Sequence, residues 1–280
     1  MMKGQKIMGK FDGMLLCTDL DDTLLTDNKQ VSEKNRKAID YFKSEGGLFT
    51  FSTGRVPMGA RLILEYVVPN APIVCFNGGG IYDFSENKIL WSRKLDSDAI
   101  SAVEYVDRRL DFVGIEICTE EKIYFSKINA KVREHQILEK LPDNDLDYHD
   151  IPEVWQKVLF MTEEHELNTV RRTISESPFA DKYTFVQSSP WYYELLPKNS
   201  TKGDGLIQLG ELCGIDRSRI IAVGDNENDL EMVKMAGVGI AVENAIPIVK
   251  NSADYVTADN NSDAIAKVIY DLENGTIKTA

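Results

Sequence analysis

Four short segments of this chain hold the residue types that handle charged oxygen. The first is Asp19-Leu20-Asp21-Asp22-Thr23. In extended backbone, side chains two apart share a side, so Asp19 and Asp21 face the same way. Two carboxylates drawn together out of water repel each other unless a cation sits between them or one holds a proton. Oxygen donors without His or Cys suit Mg2+. The plain alternative is an acidic, solvated turn. The second segment is Ser52-Thr53-Gly54-Arg55. A hydroxyl, a glycine and free backbone amides at a turn can cradle an anion, or simply cap a helix. The third, Ser200-Thr201-Lys202-Gly203, opens a helix with a lysine. That lysine can hold a phosphate as a point charge or lie on the surface. The fourth is Gly224-Asp225-Asn226-Glu227-Asn228-Asp229. It crowds oxygen ligands into one loop but lacks the length and closing Glu of a calcium-binding helix-loop-helix. Here the alternative is a capped turn.

The elements around these segments decide whether they can meet. Apolar runs at 13–18, 48–52 and 72–76 read as strands, with helices at 28–45 and 55–66 between them. Strand, helix and strand joined by short glycine-marked turns predict parallel pairing. Near-continuous apolar strands fit a sheet covered on both faces. The same alternation returns late, with helices at 203–213, 229–236, 246–251 and 262–273 and strands at 220–223, 238–242 and 254–256. The middle differs. Strand pairs at 81–83/88–91 and 112–117/122–125 are followed by strands at 158–162, 183–187 and 192–195. Helices at 96–110 and 163–176 join them, and 141–152 reads as a loop. This pattern predicts an α+β module, here placed at 85–192, inserted into a parallel-sheet core made of 1–84 and 193–280. Each of the four segments then lies at a strand end or helix start on one edge of one sheet, where open α/β sheets bind ligands. Together they supply carboxylates for a metal, a hydroxyl and amides for an oxyanion, and one cation. That inventory suits phosphoryl transfer, where positioning and charge neutralisation do most of the work. No GxxxxGK[ST] loop and no GxSxG are present, which removes the P-loop nucleotidases and the commonest serine hydrolases.

The chain has 280 residues, 43% of them hydrophobic, with 32 Lys plus Arg against 45 Asp plus Glu. At roughly 150 residues per domain the length suggests two. The net charge of -13 argues against a nucleic-acid coat or a polybasic membrane binder, which need excess cations. It leaves room for a small anion drawn by a local field. Cys17, Cys75, Cys118 and Cys213 form no CxxC pair and are expected as reduced core thiols. His135, His149 and His165 lie in polar stretches without metal-site spacing, and are expected on the surface. The early lysines precede an apolar run, 14–17, too short for a secretion signal, and no run approaches the roughly 20 apolar residues of a membrane span. A cytoplasmic protein is expected.

The chain resembles the haloacid dehalogenase superfamily, and within it the Cof-type phosphatases with a large α+β cap of the C2 type. The resemblance rests on CTDLDDTLL (17–25), FSTGR (51–55), CFNGGGIYD (75–83), STKGDGL (200–206) and GDNENDLEMVKMAGVGIAVENA (224–245). It implies an α/β fold, a Rossmann-like parallel-sheet core with an inserted cap. It also implies a Mg2+-dependent phosphatase acting on small phosphorylated metabolites, sugar phosphates or phosphorylated cofactors. Asp19 would form an aspartyl-phosphate. Asp21 would protonate the leaving group and then activate water. Leu20, Thr53, Gly54, Lys202 and Asn228 would bind phosphate with Asp19, and Lys202 would offset its charge. Asp19, Asp225 and the backbone carbonyl of Asp21 would ligate the metal, with Asp229 and Asn226 behind them. Two departures stand out. Asp22 replaces a common glycine, and Pro197-Lys198-Asn199 replaces the usual Pro-x-Gly. A phosphotransferase such as a phosphomutase shares the aspartyl-phosphate and stays open as an alternative. So does a non-catalytic phosphate-binding module, although the intact Asp21 argues against it.

Overall fold

The structure is a computed structural model and describes residues 9–279. The first lysines of the chain lie outside the described residues. Strand β1 (Leu15–Thr18) is fully buried and ends one residue before Asp19. A π-type turn, Leu20–Leu24, comes next, and then helix α1 (Glu33–Ser44). The helix starts at Glu33 rather than at 28, because the Ser32 hydroxyl accepts the Asn35 amide and caps it there. Strand β2 (Leu48–Phe51) leads to helix α2 (Pro57–Ala60). The helix expected at 55–66 breaks, and its second half, Arg61–Glu65, is 3-10.

Among the described residues, strand β3 (Ile73–Cys75) pairs with the parallel sheet through a single bridge, between Ser52 and Val74. Its main pairing is antiparallel to β4 (Gly80–Asp83), which pairs with β5 (Lys88–Ser92). The expected third parallel strand is thus mostly part of a separate three-stranded sheet. The cause is the chain reversal at Phe76 and Asn77, both in left-handed backbone at φ 53° and 52°.

The next stretch holds α3 (Ala99–Asp107), β6 (Gly114–Thr119), β7 (Ile123–Lys127), α4 (Ala130–Leu138), β8 (Trp155–Met161), α5 (Leu167–Ser175), β9 (Thr184–Ser189) and β10 (Tyr192–Leu196). Its five strands form an antiparallel sheet in the order β7-β6-β8-β10-β9. The β4–β5 hairpin runs across residue 85, and β10 runs across residue 193. Register places Glu116, Leu159 and Glu194 side by side on neighbouring strands. The opposite face carries Ile115, Val158, Phe160 and Leu195, packed with Val103 and Val106 of α3 and Val170 of α5.

The chain then returns through α6 (Lys202–Cys213), β11 (Ile220–Gly224), α7 (Leu230–Met235), β12 (Val238–Ala241), α8 (Pro247–Lys250), β13 (Tyr255–Val256) and α9 (Ala264–Glu273). Strands β13-β12-β11-β1-β2 form one five-stranded parallel sheet. Apolar residues cover both its faces. The fold is therefore α/β, with a parallel core sheet and a second antiparallel sheet inserted in sequence. All four cysteines are free; Cys17, Cys75 and Cys118 are buried and Cys213 partly so. No helix among the described residues is long and apolar enough to cross a membrane.

Candidate active site

The neighbouring strands β1 and β11 end together, which sets Asp19 beside Asp225. The Asp19 amide donates to the Val223 carbonyl at 2.8 Å and continues the ladder by one residue. Asp225 comes directly after Gly224 at the end of β11, and its Oδ1 accepts the Thr23 hydroxyl at 2.8 Å. Asp229 folds back from the next turn, where its Oδ2 accepts the Asp225 and Asn226 amides at 3.0 and 3.2 Å. One oxygen from each of Asp19, Asp225 and Asp229 lies within 4.8 Å of the others, and all three residues are buried.

Lys202 enters from the first turn of α6, whose start is fixed by a capping box between Thr201 and Asp204. It is only 1% exposed, and its Nζ donates to Asp19 Oδ1 and Asp229 Oδ1, both at 2.5 Å. Burial works against its charge, yet the two carboxylates hold its pKa well above the ordinary lysine value. Burial and the charge of Asp229 push the Asp19 carboxyl up, against the pull of Lys202. Burial, Asp229 and Asp19 push Asp225 up in the same way. Were all three carboxyls ionised, one ammonium would leave two negative charges unmatched, so burial favours protonated Asp19 and Asp225 unless a further cation joins the cluster.

Asp21 does not join this cluster through its carboxylate. The side chain turns out to Arg55 at 3.1 Å and Lys29 at 3.1 Å. Burial opposes its ionisation, but Arg55 and Lys29 together hold its pKa below the usual carboxylate range. Asp22 points away to the exposed Lys29 at 3.3 Å. Leu20 is fully buried at the start of the π-type turn.

Thr53 is buried at the end of β2, and its hydroxyl oxygen accepts the Arg55 amide at 3.1 Å. A Cβ on Gly54 would come within 3.0 Å of the Asn77 amide, so the cradle is filled to the limit of a glycine. Asn228 reaches the same place, donating to Asn77 Oδ1 at 3.0 Å. Asn226 is a helix cap and accepts the Glu227 amide at 2.7 Å.

Several neighbours of the site carry no role that the sequence alone suggests. Asn77 is buried against Gly54 with its Nδ2 unpartnered, and its only sequence signal is the CFNGGG run. Arg55 joins Asp21 to Glu139, at 2.5 Å. Its signal is the FSTGR segment, which carries roles for Thr53 and Gly54 alone. Lys157 and Glu194 form a buried pair at 2.8 Å, two strand residues with no motif around them. His135, expected on the surface, is instead largely buried. Its Nε2 lies 3.4 Å from Glu116 and its Nδ1 3.3 Å from the Tyr192 hydroxyl. The helix α4 that buries it has no strong apolar periodicity, which is why the sequence does not reveal it. Arg133, on the same helix, faces out and pairs with Asp143 and Asp145.

An open α/β sheet with buried carboxylates, a buried lysine and a hydroxyl-bearing turn at its strand ends belongs to the phosphoryl-transfer enzymes. The family model for haloacid dehalogenase-like hydrolases matches residues 16–269, and the chain belongs to that family. A candidate phosphatase of Streptococcus pyogenes is 29% identical over 262 residues, covering 91% of this chain and 96% of its own. The 5-amino-6-(5-phospho-D-ribitylamino)uracil phosphatase YcsE of Bacillus subtilis is 29% identical over 258 residues, covering 92% and 95%. The solved sugar phosphatase BT4131, of HAD subclass IIB, superposes with a TM-score of 0.79 at 20% identity, over 94% of this chain and all of that one. This protein is a phosphatase of the Cof type.

Proposed function

We propose that the enzyme is a Mg2+-dependent hydrolase of small phosphorylated metabolites, working through an aspartyl-phosphate on Asp19. The carrying observation is the crowding of buried carboxyls: Asp19, Asp225 and Asp229 lie within 4.8 Å, and among the described residues Lys202 is the one cation paired with them. Hard oxygen donors with excess negative charge fit Mg2+. Asp19, Asp225 and the Asp21 carbonyl would hold the ion, and Asp229 would anchor Lys202 and the loop amides behind them. Bound there, the ion would supply positive charge to the transferring phosphoryl group.

The remaining steps fall to the chain itself. Lys202 holds one oxygen of Asp19, which orients the other for attack on phosphorus. The bond from Asp19 oxygen to phosphorus forms as the bond to the leaving oxygen breaks. Thr53, the Gly54 amide and Asn228 would take the phosphate oxygens. Asp21, held ionised by Arg55 and Lys29, is in the form that accepts a proton from the water of the second step. To donate a proton in the first step, those contacts must loosen. Strand pairing supports a cap of 93–196 rather than 85–192, closing over the substrate. The activities of YcsE and BT4131, on a phosphorylated ribityl compound and on sugar phosphates, support the substrate class.

The test is hydrolysis of p-nitrophenyl phosphate with Mg2+, and then of a panel of metabolite phosphates. Asp19→Asn should lower kcat by about a thousandfold or more. A chelator should abolish activity, and added Mg2+ should restore it. Undiminished turnover by Asp19→Asn would remove Asp19 from the nucleophile's place.

A further inference from the structure

We infer that Lys157 and Glu139, both from the inserted module, are positioning residues that set the phosphate cradle and Asp21 by gripping one dipeptide, Gly54-Arg55. The inference rests on the phosphatase reading above. Lys157 is a lysine only 4% exposed, in the middle of an antiparallel sheet. Its ammonium donates to Glu194 at 2.8 Å and to the Gly54 carbonyl of the core, also at 2.8 Å. Glu194 is itself held by the Ser188 hydroxyl. A buried lysine with one carboxylate partner is expensive to keep, and an apolar pair of the same volume would serve a sheet better. A sheet needs no such pair for its own pairing, so the second partner of Lys157, Gly54, marks what the lysine does.

The Gly54 carbonyl and the Arg55 amide are the two ends of one planar peptide group. That amide donates to the Thr53 hydroxyl oxygen at 3.1 Å. The grip of Lys157 on the carbonyl therefore fixes the plane that orients the Thr53 hydroxyl toward the phosphate. The Arg55 side chain carries the second link. Its guanidinium binds Asp21 at 3.1 Å through Nη2 and Glu139 at 2.5 Å through Nη1. Glu139 caps the C-terminal end of α4. Two contacts from separate elements of the module thus converge on adjacent residues. One adjusts Thr53 and the other adjusts Asp21, so the machinery is complete only when the module is seated.

The test compares wild type with Lys157→Met and Glu139→Gln in the full chain. Asp19→Asn serves as the control that the measured turnover is the enzyme's own. In Lys157→Met, kcat should fall at least tenfold and inhibition by inorganic phosphate should weaken by a similar factor. Amide exchange over 52–56 should also quicken. Glu139 sits at a helix end, part-exposed, and Glu139→Gln should fold normally. It should lower kcat for alkyl phosphates several-fold more than for p-nitrophenyl phosphate, whose leaving group needs little protonation. A merely structural role would lower the melting temperature and leave these ratios alone. Unchanged exchange over 52–56 in Lys157→Met overturns the inference even if turnover has another cause. Equal loss on both ester types in Glu139→Gln overturns its Asp21 arm. Should Lys157→Met fail to fold, Glu194→Gln keeps the volume and loosens the same grip. Wild-type levels of exchange and phosphate inhibition there count against the proposal equally. Turnover that survives Asp19→Asn instead counts against the aspartyl-phosphate reading on Asp19, while amide exchange over 52–56 reads the grip independently of it.

Discussion

Asp22 and Asn199 depart from the glycines usual in the family, and the backbone shows why both positions are demanding. They sit at φ 58° and 57°, in the left-handed region. Asp and Asn enter that region more readily than other residues with a Cβ, so the turns survive the exchange. The four chemical segments were legible as residues because their types are rare together. Asp21 shows the limit of such reading. Strand alternation placed its side chain beside Asp19, but the π-type turn begins at Leu20, and the carboxylate leaves for Arg55. Glu116 was out of reach altogether, since a lone Glu in an apolar strand carries no motif. Burial raises its pKa from 4.5 to about 7, against the pull of Lys157, with Cys118, Glu194 and Glu139 also facing it. The folded state then binds more protons than the unfolded state between those values, so stability falls as pH rises through that window. His135 beside it runs the other way. Burial lowers its pKa from 6.5 to about 4, so its contribution grows as pH rises between those values. The two offset each other in the acid range, and above pH 6.5 the raised Asp19 and Asp225 carboxyls add to the loss, so the Glu116 share is read from the difference between variant and wild type. Glu116→Gln should remove that share, gaining up to about 3 kcal/mol over wild type between pH 5 and pH 8 in urea unfolding. A difference between Glu116→Gln and wild type that stays constant from pH 5 to 8 would refute this assignment.

At the scale of elements, β1, β2, β11 and β12 were legible because buried parallel strands are continuous apolar runs bounded by turn residues. Helix ends were less so. Ser32 sets the start of α1, and the expected helix at 55–66 splits where Pro57 begins a single turn. The 72–76 run looked like its parallel neighbours, because the turn beyond a strand, and not the strand's own residues, decides its pairing direction. The Phe76-Asn77-Gly78 reversal is that decision, with Gly78 at φ +96°. A side chain on Gly78 would also collide with the Thr201 carbonyl at the start of α6. The reversal and the helix that carries Lys202 are thus packed backbone against backbone. Gly78→Ala should cost more than about 2 kcal/mol, from the disfavoured φ and the displaced helix together. It should also lower kcat, because Lys202 is one residue from the point of collision. Chemical denaturation and turnover of the same preparation check both effects. A variant as stable and active as wild type would mean that α6 is not held here.

At the scale of the whole molecule, an insertion was legible but its seating was not, because periodicity tells that a face is apolar and not what covers it. The inserted sheet has its own apolar cluster with α3 and α5. Its other face does not stand alone. Cys118, Ile123, Phe125, Leu159 and Met161 belong to one continuous apolar cluster with Leu20, Leu24, Ala60 and Ile63 of the core. Polar ties flank this shared cluster: Lys157 to Gly54, Glu139 to Arg55, and Arg171 to Glu227 at 3.1 Å. The last pair is more than a third exposed on both sides and should add less than about 1 kcal/mol. The shared apolar surface is the larger coupling, since its loss would expose side chains of both sheets to water at once. Two-sheet chains of this size often unfold in steps. Here the shared cluster should make thermal unfolding a single transition, with matching calorimetric and van't Hoff enthalpies. Leu159→Asp would put a charge into the shared face while leaving the opposite face of β8 untouched. It should split the trace into two transitions, the inserted sheet and the parallel core melting apart. Two resolved transitions already in wild type would show that the two sheets fold independently and that the shared cluster contributes little to joining them.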